Sequence, residues 1–141
     1  MKHALIIVLV LVGLGLLLSG WVMFGDHSSF QTGVSQYEGL PSTASDITVY
    51  RNKNISGVFA ADFKISEPDF ISFAAQQHWA IQPISGSETV FRASDFHEGR
   101  PVATKEIHDG LYYSQRAGNG GGTTVAYDRK DGRAYISSSS R

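Results

Sequence analysis

The sequence contains no cysteine among its 141 residues. This absence excludes disulfides, attachment of lipid to a cysteine, and thiolate metal sites. An excess of charge of one sign is also lacking, because 12 Lys and Arg stand against 13 Asp and Glu, a formal net charge of −1. Without a basic excess the chain has no strong electrostatic attraction for nucleic acid, and we expect no nucleic-acid partner.

Recognisable catalytic motifs are missing as well. The glycine-rich stretch 117–122 lacks the lysine and the strand-to-helix setting of a phosphate-binding loop. No serine stands in a Gly-x-Ser-x-Gly motif, and no two histidines have the His-x-x-x-His spacing that directs both rings to one metal ion. The sequence therefore predicts no catalytic residue, no cofactor-binding residue, no cofactor and no metal ligand, and we expect a protein that is not an enzyme.

A long apolar run opens the chain. Ala4–Phe24 is a run of 21 residues without a charge. At about 1.5 Å per residue, a helix of this length spans roughly 31 Å, enough to cross a hydrocarbon core of about 30 Å. The sequence predicts an N-terminal signal-anchor transmembrane helix over residues 1–24 that contacts the lipid bilayer through residues 4–24.

The residues on either side of this run predict whether it is cleaved and how it is oriented in the membrane. Residues 18–29 offer no pair of small side chains at the spacing that signal peptidase requires, so a retained anchor is favoured and a cleaved signal is the alternative. Lys2 precedes the run, whereas the next basic residue is Arg51, which places the N-terminus in the cytoplasm. The prediction is a single-pass protein of the bacterial inner (cytoplasmic) membrane with an extracytoplasmic C-terminal domain.

The rest of the chain divides into a tether and one domain. Residues 25–39 are polar and aperiodic and predict a flexible tether, and residues 40–138 predict an extracytoplasmic domain. Within it, Phe59, Phe63 and their neighbours alternate with polar residues as in a strand with one buried face. Ser66 has the position and chemistry of a helix N-cap before an aromatic stripe at helical spacing.

The remaining pattern completes a predicted fold. Further strands are expected within 47–52, 79–84, 110–116, 123–128 and 133–138, and the stretch 87–104 reads as a long loop. Pairing of Asp128 with Arg133 would place Val125, Tyr127, Ala134 and Ile136 on one inner face. The fold class predicted is α+β: an antiparallel sheet of five or six strands, ordered ββαβ and then a three-stranded meander, with one helix packed on a face.

Two groups of side chains are candidates for function. His97 and His108 each lie beside carboxylates, and two histidines with a carboxylate could hold zinc or another divalent ion. Their alternative interpretation is solvated loop residues. Tyrosines at four positions of the meander either present a binding surface or pack within the sheet, namely Tyr112, Tyr113, Tyr127 and Tyr135.

The order of several segments resembles that of small uncharacterised bacterial envelope proteins with a membrane or lipid anchor. The segments are "LPSTASDITVYRN", "FAADFKISEPDFISFA", "DGLYYSQR" and "AYDRKDGRAYI". The resemblance covers 40–136, rests on a Leu-Pro-x-x-Ala start and implies no activity. The sequence thus predicts a membrane-anchored, non-enzymatic envelope protein that binds a protein or another envelope component. The alternative is a small membrane-tethered, metal-assisted hydrolase that uses His97 and His108.

Overall fold

The computed structural model describes residues 28–53, 57–99 and 102–140, with 47% of them in strands and 14% in helices. In chain order the elements are β1 (Ser28–Val34), β2 (Ser45–Asn52), β3 (Val58–Lys64), α1 (Glu67–Gln76), β4 (Gln82–Pro83), β5 (Glu88–Val90), α2 (Ala93–His97), β6 (Lys105–Ile107), β7 (Gly110–Arg116), β8 (Gly122–Asp128) and β9 (Arg133–Ser139).

Seven of the strands form one antiparallel sheet in the order β1-β2-β3-β9-β8-β7-β4, and β5 pairs with β6 in a second, two-stranded sheet. The predicted fold class, α+β with five or six strands and one helix, is therefore wrong, because the described chain is mostly β. The additional strands are either polar or only three residues long, so no alternation of apolar and polar residues indicates them.

Helix α1 covers the first face of the large sheet. The Asp69 amide donates to the Ser66 hydroxyl oxygen (3.3 Å), and that hydroxyl donates to an Asp69 carboxylate oxygen (2.7 Å), which fixes the start of the helix. Phe70 and Phe73 are buried on the sheet, and the Phe70 ring stacks on Tyr127 with centroids 5.1 Å apart. The predicted N-cap and aromatic stripe are confirmed.

The register of β8 and β9 is also as predicted. Asp128 pairs with Arg133, and the four predicted inner-face residues belong to the core beneath α1, namely Val125, Tyr127, Ala134 and Ile136. A tight turn containing Gly132, at φ +60°, joins the two strands. The hairpin thereby supplies part of the sheet surface beneath α1.

A second layer covers the opposite face of the sheet, and it consists of β5, α2 and β6. Val90 and Ile107 are buried against Ala126 and Tyr135 of the sheet. Two of its elements, β5 and α2, lie in the stretch 87–104 that the sequence predicts to be a long loop, and β6 follows directly after it. Its elements have three to five residues each, too short for a period to be visible, and only their packing on the sheet stabilises them.

Strand β1 occupies much of the segment 25–39 predicted to be a tether. It pairs with β2, where Phe30 lies opposite Tyr50 and Gln31 opposite Val49. Most of its side chains are exposed and polar. An edge strand of this kind is formed by backbone pairing with its neighbour, so its sequence resembles that of a loop.

The transmembrane helix predicted for residues 1–24 lies outside the described residues. Within 28–53, 57–99 and 102–140, no helix is long and apolar enough to cross a membrane. The longer of the two helices, α1, has ten residues and a length of about 15 Å, roughly half of what a span requires. The prediction of a signal-anchored, single-pass protein of the inner membrane is therefore wrong for the part of the chain that the structure describes.

Candidate functional site

A row of hydroxyl groups crosses three neighbouring strands on the second face of the sheet. Ser114 of β7 lies opposite Thr124 of β8, and Thr124 lies opposite Ser137 of β9. The Ser114 and Thr124 hydroxyl oxygens are 3.2 Å apart. Because side chains alternate along each strand, these three project to the side that carries the second layer, just beyond its edge.

Aromatic rings form a wall beside this row. Phe91 follows β5, Phe96 belongs to α2, and their ring centroids are 4.9 Å apart. Tyr50 of β2 stacks on Phe96 with ring centroids 5.8 Å apart, so the Phe96 ring contacts two other rings. Tyr112 of β7 completes the wall where β7 passes beneath the second layer.

The hydroxyl row and the aromatic wall enclose an open groove with a volume of about 620 Å³. This volume lies within the range of sites that bind small molecules, about 300–1,000 Å³. Arg116 at the end of β7 carries the only charge among the lining residues that the structure describes. The groove is therefore polar, partly aromatic and weakly cationic.

The loop between β7 and β8 closes one end of the groove. The Ala117 amide donates to the Gly121 carbonyl (2.9 Å), and the Gly121 amide donates to the Asn119 side-chain oxygen (3.2 Å). A Cβ at Gly122 would collide with the backbone carbonyl of Gln115 on the facing strand. Glycine is thus required here by the close approach of two strands, which accounts for this part of the glycine-rich stretch.

Three buried carboxylates lie away from the groove, and each is paired. Asp62 accepts from Arg133 and from the Ala93 amide, and Asp95 accepts from the Arg92 amide at 2.8 Å. Asp128 lies 2.7 Å from the Lys105 ammonium. No buried side-chain nitrogen or oxygen in the described part of the chain lacks a hydrogen-bond partner. Asp62 and Asp128 join the sheet to the second layer, whereas Asp95 is bonded within that layer.

Lys105 is the cation of one of these ion pairs. Burial of its ammonium lowers the pKa, but hydrogen bonds to Asp128 and Asp131 outweigh that effect and hold the pKa above its ordinary value. Lys105 also lies over the Tyr135 ring, 5.8 Å from its centroid. The ammonium is thus kept charged by two carboxylates, which suits a structural role.

The two histidines of the predicted metal site have separate surroundings. The His97 ring stacks on Phe30 of β1 with centroids 4.1 Å apart and planes 2° apart. His108 is exposed in the turn between β6 and β7, with its Nε2 3.8 Å from a Glu106 carboxylate oxygen. Among the residues that the structure describes, no three His, Asp or Glu side chains are grouped so that they could hold a metal ion.

The four tyrosines of the meander do not form an exposed surface. Tyr127 and Tyr135 are buried on opposite faces of the sheet. Tyr113 is half-buried against the core beneath α1, and Tyr112 is half-buried against the second layer. Their positions agree with ordinary sheet packing, and among them it is Tyr112 that reaches the groove.

The sequence gives no signal for the hydroxyl row. Ser114, Thr124 and Ser137 lie 10 and 13 residues apart in the chain, and only the register of three strands brings them into line. Scans of protein-family models, curated proteins and solved structures found no match to this chain. The resemblance to small envelope proteins stays a prediction, and any function has to be argued from the groove itself.

Proposed function

We propose that the domain is a non-enzymatic binding domain and that its groove holds a saccharide bearing an acidic substituent. The observation that carries the proposal is the row of Ser114, Thr124 and Ser137 beside an aromatic wall. A binding role is also what the sequence predicts. The groove adds a site and a class of ligand to that role.

The hydroxyl row matches the chemistry of a sugar. A serine or threonine hydroxyl can donate one hydrogen bond and accept two, and a sugar hydroxyl has the same capacity. A row of such groups can therefore bind successive ligand hydroxyls without requiring a charge on either side. Ser114 and Thr124 are near enough to share a hydrogen bond. A ligand oxygen can therefore join an existing network, and the two side chains lose little conformational entropy when it binds.

The aromatic wall suits the other surface of a sugar ring. Phe91, Phe96 and Tyr112 offer apolar area next to polar groups, an arrangement in which rings contribute hydrophobic contact at low cost in conformational entropy. Stacking by Tyr50 and a tilted contact with Phe91 already orient the Phe96 ring. The wall is therefore preorganised for a flat, partly apolar ligand face.

Arg116 supports an acidic substituent on the ligand. A guanidinium binds a carboxylate through two parallel hydrogen bonds, which adds specificity as well as energy. The groove places this single cation at the end of the hydroxyl row, on the same strand as Ser114. The absence of any carboxylate among its described lining residues supports binding over general acid–base catalysis.

The proposal can be tested by titrating the isotopically labelled full chain with tetragalacturonate and, separately, with uncharged cellotetraose. Amide shifts are expected at 114, 124 and 137, with tighter binding of the acidic sugar. Arg116→Gln should remove a charge-assisted bond and with it about 10- to 100-fold in affinity for tetragalacturonate alone. Thr124→Val should weaken both ligands by about fivefold.

Ser42→Ala, an exposed hydroxyl in the loop before β2, is the matched control and should change neither affinity. Shifts that map away from the hydroxyl row, or equal affinity of Arg116→Gln and the unaltered protein for the acidic sugar, would contradict the assignment. If Thr124→Val disturbs the fold, its amide spectrum will show this across the whole domain. Ser137→Ala then provides the same test of the hydroxyl row.

A further inference from the structure

A second row of polar side chains crosses the same three strands on the opposite face of the sheet. Gln115 of β7 lies opposite Thr123 of β8, and Thr123 lies opposite Ser138 of β9. Each of these residues is the chain neighbour of a member of the hydroxyl row, so its side chain projects to the face that carries α1. The Thr123 hydroxyl donates to the Ser138 hydroxyl oxygen at 3.2 Å. We call Gln115, Thr123 and Ser138 the second polar row.

Neighbouring side chains orient the second polar row. The Tyr113 hydroxyl donates to the Gln115 side-chain carbonyl at 2.7 Å, and the NH2 group of the same amide can donate to a ligand. At the other end of the row, Phe59 of β3 lies opposite Ser138, and its ring centroid is 6.2 Å from that of Tyr37. Hydrogen-bonding groups beside an aromatic pair are the same combination that the groove offers.

A second cavity, with a volume of about 300 Å³, adjoins this row at the ends of the strands. Gln115 and Thr123 line it, together with Ser140 just after β9. None of the described residues that line this cavity carries a charge. A ligand is therefore held here through neutral hydrogen bonds to hydroxyl and amide groups, which suit further hydroxyls of a sugar.

The second cavity and the groove meet at the ends of the strands. Arg116, Gly122 and Ser139 lie side by side there, at the end of β7, the start of β8 and the end of β9. Gly122 has no side chain and Ala117 has only a methyl group, so neither forms a barrier between the cavities. Five residues line both cavities, namely Gln115, Ala117, Gly122, Thr123 and Ser139. One elongated ligand can therefore contact both faces by passing round the strand ends.

We propose that the groove and the second cavity form one extended site for a saccharide chain, which bends round the ends of β7, β8 and β9. The inference rests on the proposed function of the groove and extends its ligand from a short saccharide to a polymer. An acidic residue of the chain binds at Arg116, and the residues beyond it bind the second polar row. The residues already in the groove keep those beyond it at a high local concentration, so weak neutral contacts add to the affinity.

The test compares tetragalacturonate with hexagalacturonate as ligands of the full chain. The second cavity, at about 300 Å³, has roughly half the volume of the groove, so two added sugar residues suffice to enter it. Hexagalacturonate should bind at least about fivefold more tightly, which is the effect of one neutral hydrogen bond. Thr123 and Thr124 project to opposite faces, so their methyl NMR signals report the two rows separately. Tetragalacturonate should shift the Thr124 methyl signal, and hexagalacturonate should shift both.

Thr123→Val removes one hydroxyl of the second polar row and keeps the shape of the side chain. It should lower the affinity for hexagalacturonate about fivefold and leave that for tetragalacturonate unchanged. A longer chain also offers more starting positions in the groove, so the variant and the unaltered protein are compared with the same ligand. Thr43→Val, at an exposed loop position, is the matched control and should change neither affinity. Ser138→Ala provides the same test if Thr123→Val disturbs the amide spectrum.

The outcomes separate the extended site from the proposed function of the groove. A loss of affinity in Thr123→Val or Ser138→Ala that is confined to hexagalacturonate supports the extended site. Equal affinity of Thr123→Val and the unaltered protein for hexagalacturonate, or an unshifted Thr123 methyl signal, overturns it. Binding of tetragalacturonate at the hydroxyl row then leaves the assignment of the groove intact. If neither ligand binds, both proposals are overturned together.

Discussion

Replacement of Arg133 by methionine should be among the most damaging single changes away from the apolar core. The Arg133 side chain is 16% exposed. Its Nε and Nη2 donate to one Asp62 carboxylate oxygen at 2.9 and 2.6 Å, and Nη1 donates to Asp46 at 2.8 Å. Asp62, itself 7% exposed, would keep the Ala93 amide as its donor at 3.0 Å.

The magnitude follows from the burial of the two partners. Removing one member of a buried ion pair costs about 3–5 kcal/mol, since the other charge stays in a poorly solvated site. The pair here is partly reached by water through Arg133, so we expect a loss near the lower end, about 3 kcal/mol. The contact with exposed Asp46 adds little, because solvent screens it.

Urea unfolding of the full chain, followed by circular dichroism, measures this loss. A double-mutant cycle with Asp62→Asn isolates the pair, and the two costs should be far from additive because the double variant leaves no unpaired charge. Lys64→Met is the matched control: its ammonium is exposed and 3.9 Å from Asp46, so its effect should stay within about 0.5 kcal/mol.

A cost of Arg133→Met below about 1 kcal/mol would contradict the buried ion pair, and so would single costs of Arg133→Met and Asp62→Asn that simply add in the double variant. Hydrogen exchange of the Ala93 amide gives an independent reading. That amide donates to Asp62 where α2 begins, so Asp62→Asn should raise its exchange rate before the amides of α1 are affected.

Two further predictions concern α1. Phe70→Ala should lower the free energy of unfolding by about 3–5 kcal/mol in the same assay, because the ring is fully buried. Ile71→Ala is the control, because Ile71 is 44% exposed, and it should lower that free energy by less than about 1 kcal/mol. Equal losses would contradict the placement of α1. Hydrogen bonds from Arg129 hold the pKa of the Glu67 carboxyl below its ordinary value of 4.5. The ionised carboxyl therefore stabilises the fold fully above pH 4.5, and this contribution is lost as the pH falls through the lower pKa of the folded state. Arg129→Gln should therefore lose less stability than the unaltered protein between pH 7 and pH 3, and equal losses in the urea midpoints would contradict the assignment.

Sequence reasoning succeeds where the determinants are local. The N-cap at Ser66 and the stripe of Phe70 and Phe73 lie within eight residues, and helix geometry converts that spacing directly into a buried face. The β8–β9 hairpin is equally local, since one tight turn fixes its register. Neither prediction requires knowledge of what lies elsewhere in the chain.

Prediction from the sequence fails where a distant segment changes the solvent exposure of a residue. Asp62 alternates with buried residues of β3 and therefore reads as a solvent-facing residue, yet it is 7% exposed. The cause is the layer of β5, α2 and β6, which covers that face and has no periodicity of its own. The hydroxyl row cannot be predicted from the sequence either, because its three residues come together only through the register of β7, β8 and β9.

The position of β9 has a consequence for how the domain folds. β9 lies between β3 and β8, and through it the β1-β2-β3 half of the large sheet meets the β8-β7-β4 half. Val58 pairs with Ser139 and Lys64 with Arg133, so this closure joins segments far apart in the chain. Loop entropy must be overcome before those pairs form, which makes the closure a slow step. Until then, β3 and β9 are themselves open edges, and the half-assembled sheet is the state most exposed to aggregation.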